Sequence, residues 1–242
     1  MKNAWREINL FLGRFLSPAV RYILLANVIV FILMVLLTPF SKSITAFFGL
    51  LIQRPVLVVE RFFLWQLVTY MFMHADVLHL LFNMLILWFF APRLEYRWGT
   101  QKFLRFYFIV GIGAGLINIL ASYLTYWGGQ EEVIQIGMLG ASGAIYGVLL
   151  AYALTWPNDT VLLYFAIPIK IKYLMIILGV FAFLGSVGSS GDGISHVTHL
   201  GGILVAFIYL KAGPFLGGGG GKRRKRKPKI VQVDPRNHPD FR

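Results

Sequence analysis

Ser142 stands in the run Gly140-Ala141-Ser142-Gly143, where glycine neighbours would let a substrate backbone come close to its hydroxyl. It is a candidate nucleophile for acyl transfer, provided that a base can accept its proton. The small residues Gly140, Ala141, Gly143, Ala144 and Gly147 could equally let two helices pack closely, so the run alone decides nothing. Tyr146, four residues on, would share the serine's face on a helix. The candidate base is His199, in Thr198-His199-Leu200-Gly201-Gly202. On a helix His199, Gly202 and Ala206 share one face, so the small residues would seat that helix and present the imidazole to its neighbour. A histidine satisfied by a nearby carbonyl is the plainer alternative, and His196 competes as base, although no glycine sits three residues after it. His79 and Asn83 are four apart in an otherwise apolar stretch, with His74 a little over one turn earlier. Both can donate hydrogen bonds where a tetrahedral intermediate develops charge, each donor being worth about 10² to 10³ in rate. They could instead join helices.

These residues belong to a chain of 242 residues that is 57% hydrophobic and only 14% charged, against about 25% charged in ordinary soluble domains. That excludes a soluble single domain and a disordered chain. With no cysteine there is no disulfide, thiolate metal site or cysteine nucleophile. Apolar spans run near Tyr22 to Phe40, Val77 to Phe90, Phe103 to Trp127, Ala141 to Trp156, Ile171 to Ser186 and His199 to Leu210. A crossing helix needs roughly 20 apolar residues, so several spans must draw on their flanks. Lipid leaves no backbone group unpaired and no barrel-like alternation is present, so the expected fold is an all-α membrane protein with six transmembrane helices. Four of the five histidines, His74, His79, His196 and His199, lie in or beside these spans. Ionisable groups there are costly and usually functional.

Charge sets the expected orientation. With the N-terminus inside, the cytoplasmic side receives Lys2, Arg6, Arg14, Arg21, Arg93, Arg97, Lys102, Arg105, Lys170, Lys172 and Lys211. The outside receives only Lys42, Arg54 and Arg61. Both termini are then cytoplasmic. The first span is too long for a signal-peptide core and lacks a small-residue cleavage site, so it should remain as an anchor. Phe47 to Phe72, broken by Gln53, Arg54, Pro55, Glu60 and Arg61, is expected along the outer interface, and Val161 to Pro168 in a cytoplasmic loop. The chain divides into a cytoplasmic segment (1–20), a membrane domain (21–211) and a Gly-rich linker with a basic tail (212–242). Of the net charge of +13, the stretch from Lys222 onward carries +7, tethered through Gly217 to Gly221. No aromatic residue interleaves Lys222 to Lys227 for base stacking, so the tail reads as a topology signal that touches anionic lipid headgroups, not nucleic acid.

Together the motifs resemble the rhomboid intramembrane serine proteases. That family has a histidine-rich second helix ending in asparagine, matched by His74, His79 and Asn83. It has Gly-x-Ser-Gly at the start of the fourth helix, matched by Gly140 to Gly143 with Tyr146, and His-x-x-Gly-x-x-x-small in the sixth, matched by His199, Gly202 and Ala206. Order and helix number agree over roughly Arg21 to Lys211. Glu95-Tyr96-Arg97-Trp98-Gly99 is similar to the family's Glu-x-Arg-x-Gly, where the pair is structural. The family often has Trp-Arg in the first outer loop and this chain has Trp65-Gln66, a departure that bears on loop anchoring.

The resemblance implies a six-helix rhomboid-like bundle that cuts other proteins' transmembrane segments. In it Ser142 is the nucleophile and His199 the base, and the oxyanion rests on the Ser142 N–H with His79 and Asn83, supported by His74 and Gly140. Tyr146 would orient the imidazole in place of a third triad member, and the outer loops, with Gly188 to Gly193, would cap the site. No metal or organic cofactor is implied. Other intramembrane proteolytic chemistries find no residues here: there is no His-Glu-x-x-His, and Asp76, Asp159 and Asp192 fall at span edges or in loops. The alternatives are an inactive rhomboid-like protein that binds transmembrane segments, disfavoured by intact Ser142 and His199, and a small channel or transporter, disfavoured by the absence of repeats. The expected location is a bacterial cytoplasmic membrane.

Overall fold

The computed structural model describes residues 16–163, 166–187 and 196–213. The expectations for the first fifteen residues, the glycine-rich cap at 188–193 and the basic tail lie outside the described residues. Long apolar runs with few breakers make most of the described chain helical. In chain order the helices are α1 (Pro18–Leu37), α2 (Lys42–Gly49), α3 (Pro55–Glu60), α4 (Gln66–Thr69), α5 (Val77–Trp98), α6 (Thr100–Trp127), α7 (Ser142–Thr155), α8 (Ile171–Val187) and α9 (His196–Ala212). Each of the six apolar spans is helical, with ends displaced by a few residues and the second running on to Trp98. By length and composition α5, α6 and α1 with its 3-10 extension to Phe40 can cross a membrane. The apolar helices α7, α8 and α9 are shorter, at 14, 17 and 17 residues.

Within the stretch Val161 to Pro168, expected in a cytoplasmic loop, residues 161–163 and 167–168 belong to an antiparallel ribbon of β1 (Thr160–Leu163) and β2 (Ile167–Lys170) between α7 and α8. Pro168 lies opposite Leu162. In a two-stranded ribbon both strands are edges, so a residue without an N–H is tolerated there.

Two local devices position the helices that carry the candidate site. The Asp76 carboxylate accepts a 2.8 Å hydrogen bond from the His79 N–H and caps the start of α5. Gly99, with φ of 85°, makes the sharp passage from α5 to α6 that a Cβ would strain. Glu95, near the end of α5, is 2% exposed and accepts from the Ser17 hydroxyl, the backbone N–H groups of Ala19 (2.9 Å) and Val20 (3.1 Å), and the Thr100 hydroxyl (2.7 Å). It therefore caps α1 from another helix, supplying negative charge to the free N–H groups of the first turn.

At the centre stands α7, packed against α5, α6 and α9. Its contact with α9 is backbone on backbone: a Cβ on Gly202 would lie 1.9 Å from the Gly143 carbonyl oxygen. A Cβ on Gly147 would meet Val110 at 2.5 Å and Ala206 at 3.1 Å, so the small residues at 143, 147, 202 and 206 are what brings the two helices together. On the periphery α8 buries only Ile171, Met175 and Ala182 among its described side chains and exposes Ile176, Val180, Phe181 and Leu184.

Candidate active site

Ser142 is the first residue of α7 and half-buried, so its backbone N–H is among those that the helix leaves without an internal acceptor. The close approach of α7 and α9 brings His199, 57 residues away and 7% exposed, to its side: His199 Nε2 lies 2.8 Å from Ser142 Oγ. Tyr146 stacks flat on that imidazole, with ring centres 4.2 Å apart and planes 6° from parallel. Nδ1 of His199 has no partner among the described residues, so the stacked phenol ring, not a carboxylate, constrains the imidazole. The ring of His196 stands edge-on to that of His199 at 6.1 Å and packs where a Cβ on Gly185 would be.

Two more sequence candidates converge on the backbone just before the serine. Gly140 has φ of 117°, a conformation that requires glycine, and its N–H donates to the Tyr70 carbonyl at 2.9 Å. A Cβ there would sit 2.7 Å from His79 Nε2 and 3.7 Å from Asn83 Nδ2, so both side chains border the space over Gly140. Asn83 Nδ2 is buried without a partner among the described residues, a donor held ready at some cost to the fold. His74 lies just ahead of α5, its ring 5.0 Å from that of His79 and edge-on to it. Burial, with the neighbouring His79 adding to it, pushes the His74 imidazole down to about 4 and so favours its neutral form.

The remaining candidates are placed around this centre. Gly202 and Ala206 form the seam with α7 already described. Trp65 is half-exposed, donates from Nε1 to the Leu50 carbonyl at 3.0 Å and stacks on Phe63. Gln66, where the family often has arginine, is fully buried: its Oε1 accepts from the Arg54 N–H and its Nε2 donates to the Leu50 carbonyl, both at 3.0 Å. Its amide thus ties together two points of the preceding loop. Glu95 and Arg97 are not partners of one another, since Glu95 caps α1 and the Arg97 guanidinium lies 5.8 Å over the Trp156 ring.

Sequence reasoning missed a set of polar residues behind the serine. Tyr70 is buried and its hydroxyl donates to the Gly111 carbonyl at 2.6 Å, anchoring the residue whose own carbonyl holds Gly140. Gln53 is fully buried, exchanges two backbone hydrogen bonds with Met138 (3.0 and 2.8 Å) and accepts from Asn118 Nδ2. The signal for Gln53 and Asn118 was the one that singled out His79 and Asn83, a strongly polar side chain in an apolar run. For Tyr70 there was none.

Residues 61–213 match the family model of the Rhomboid domain. Similar proteins include "Putative rhomboid protease YdcA" of Bacillus subtilis, 38% identical over 88 residues, 36% of this chain and 39% of that protein. "Rhomboid-like protease 3" of Toxoplasma gondii is 28% identical over 154 residues, 63% of this chain and 55% of that protein. "RHOMBOID-like protein 12, mitochondrial" of Arabidopsis thaliana is 30% identical over 155 residues, 60% of this chain and 45% of that protein. The matches thus span about half or less of the length of these relatives. Because the family match takes in α5 through α9, with every residue that surrounds Ser142 and His199 on those helices, and covers well over half of the chain, the chain belongs to the rhomboid family.

Proposed function

We propose that this chain is an intramembrane serine endopeptidase that cuts transmembrane segments of other proteins with a Ser142–His199 dyad. The observation that carries the reading is the 2.8 Å approach of His199 Nε2 to Ser142 Oγ at the start of a central helix, beside the unpartnered Asn83 amide. His199 takes the hydroxyl proton as Oγ attacks the scissile carbonyl carbon, and the carbonyl oxygen becomes the oxyanion. The Ser142 N–H, His79 Nε2 and Asn83 Nδ2 donate to that oxyanion over Gly140. As the intermediate collapses the carbon–nitrogen bond breaks, and His199 returns its proton to the leaving amine. Water, deprotonated by the same imidazole, then releases the acyl chain and restores Ser142.

The lengths of the helices support chemistry below the membrane surface. At 1.5 Å per residue α7 is about 21 Å long, well short of a hydrocarbon core of roughly 30 Å. If its C-terminal end meets the cytoplasmic interface, Ser142 lies several ångströms inside the opposite one. The irregular chain leading to Gly140 is acceptable at that depth only if it lines protein or water, and water is the second substrate of the hydrolysis. In this reading all six apolar helices of the 21–211 domain belong to the membrane, both termini are cytoplasmic, and the basic tail lies on anionic lipid. The membrane is the bacterial cytoplasmic one.

The test is to incubate the purified full chain in detergent with a generic transmembrane substrate and to map the products by mass. A cut within or beside the apolar segment, absent with Ser142→Ala, supports proteolysis. Substrate captured uncut by both forms would mean that the chain binds without cutting.

A further inference from the structure

At the end of α7 opposite Ser142, Arg93 and Arg97 lie over the Trp156 ring, with Asp159 beside Arg93. Asp159 is engaged by the Arg93 guanidinium and accepts from the Tyr152 hydroxyl at 2.8 Å. Arg93 also donates to that hydroxyl at 2.9 Å and lies 4.0 Å from the centre of the Trp156 ring. Arg97, one turn further along α5, lies over the same indole, is exposed, and makes no ion pair among the described residues. The Lys172 ammonium is held apart from them, donating to Asn158 Oδ1 at 3.0 Å and lying over the Tyr173 ring, so the two guanidinium groups stand against one carboxylate. The cluster is complementary to an anion, and Arg97 presents planar donors suited to phosphate.

What carries that anion follows from the outer face of α5. Phe82, Phe89 and Tyr96 are 55%, 59% and 65% exposed. They recur every seven residues and so form one stripe, on which Arg93 also falls. From Phe82 to Arg97 the helix rises about 22 Å, about the span from a phosphate just outside the roughly 30 Å hydrocarbon core to a little past its midplane, so one acyl chain from a headgroup at Arg97 runs along Phe89 and reaches the level of Phe82. A free anion would use the cations and leave the stripe bare. A zwitterionic lipid would use the stripe but bring its own cation toward Arg97.

We propose that the α5 stripe and the Arg97–Trp156 corner form a seat for one anionic phospholipid, with an acyl chain along Phe82 and Phe89 and the phosphate at Arg97. The site lies at the end of α7 opposite Ser142 and does not depend on the proteolytic reading.

Native mass spectrometry of the full chain in detergent, titrated with phosphatidylglycerol and with phosphatidylcholine of identical acyl chains, tests it. One unneutralised cation near the headgroup should give about a fivefold preference for the anionic lipid. Whatever preference the basic tail adds is common to all variants, so Arg97→Gln should lower the preference by about that fivefold factor and Arg97→Lys should keep it, while Phe89→Ser should weaken both lipids alike. Thermal melts report whether each variant is folded, and if Arg97→Gln is not, Phe89→Ser on the exposed face still decides. Equal affinity for the two lipids, a preference untouched by Arg97→Gln, affinities unmoved by Phe89→Ser, or inorganic phosphate competing as strongly as the lipid would each overturn the proposal.

Discussion

Gly202→Ala is the smallest change that should separate the dyad without touching either member. The added methyl would meet the Gly143 carbonyl oxygen at 1.9 Å, and that atom belongs to the backbone of α7, so no side-chain rotation relieves it. To reach ordinary contact at about 3.4 Å, α9 must move from α7 by roughly 1.5 Å or tilt about a neighbouring contact. His199 lies on the same face less than one turn away and moves with it, stretching a Ser142–His199 contact that is now 2.8 Å. Misplacement by about 1 Å costs on the order of 10² in rate, and overpacking of this kind costs about 1 to 3 kcal/mol in stability. Cleavage of a fluorogenic transmembrane substrate in proteoliposomes, normalised to folded protein, should therefore fall about a hundredfold with a modest loss in Tm. Gly179→Ala on α8, where the nearest atom is the Ile203 Cδ1 at 4.0 Å, is the control and should leave both unchanged. A Gly202→Ala protein with full rate and unaltered Tm would refute the backbone-contact argument.

Tyr146→Phe keeps the ring that stacks on His199 and should retain most activity, whereas Tyr146→Ala should lower kcat by about tenfold or more, up to the loss of general-base function. Equal effects of the two on kcat would move the tyrosine's role from its ring to its hydroxyl. Asn83→Ala should lower kcat by up to about 10² to 10³ without lowering Tm, since Asn83 Nδ2 has no partner to lose. A large Tm loss with an intact rate would make it a packing residue. Glu95→Ala leaves the Ser17 hydroxyl, the Ala19 and Val20 N–H groups and the Thr100 hydroxyl without their acceptor. It should cost about 2 to 4 kcal/mol in a chemical melt, with little change in rate per folded molecule; an unchanged melt would contradict the capping role.

The helices were legible because their signal is local, unbroken apolar runs, although such runs alone ended the second span at Phe90 where α5 continues to Trp98. Ser142, His199, His79 and Asn83 were legible for a different reason, since polar groups in apolar runs are too costly to be incidental. That rule would also have found Gln53 and Asn118 had it been applied beyond the candidate chemistry. The hairpin was hidden because Pro168 argues against a strand and only the pairing with Leu162 shows that its missing N–H does no harm. Glu95 read only as a structural residue by resemblance, because the groups it serves, at the start of α1, lie more than 70 residues earlier and become its neighbours only in three dimensions. Gln66 looked like a defect against the family's arginine, yet its amide makes two loop hydrogen bonds from a fully buried position.

The central claim is that His199 activates Ser142. A fluorophosphonate reacts only with a hydroxyl whose proton a base can accept, so the full chain should be labelled, with the modified peptide mapping to Ser142. The label should vanish in Ser142→Ala and in His199→Ala and persist in His196→Ala. Because the two residues act as a unit, the Ser142/His199 double variant should cleave substrate hardly less than either single one. Labelling that survives the loss of His199, or that maps to another serine, would contradict the account.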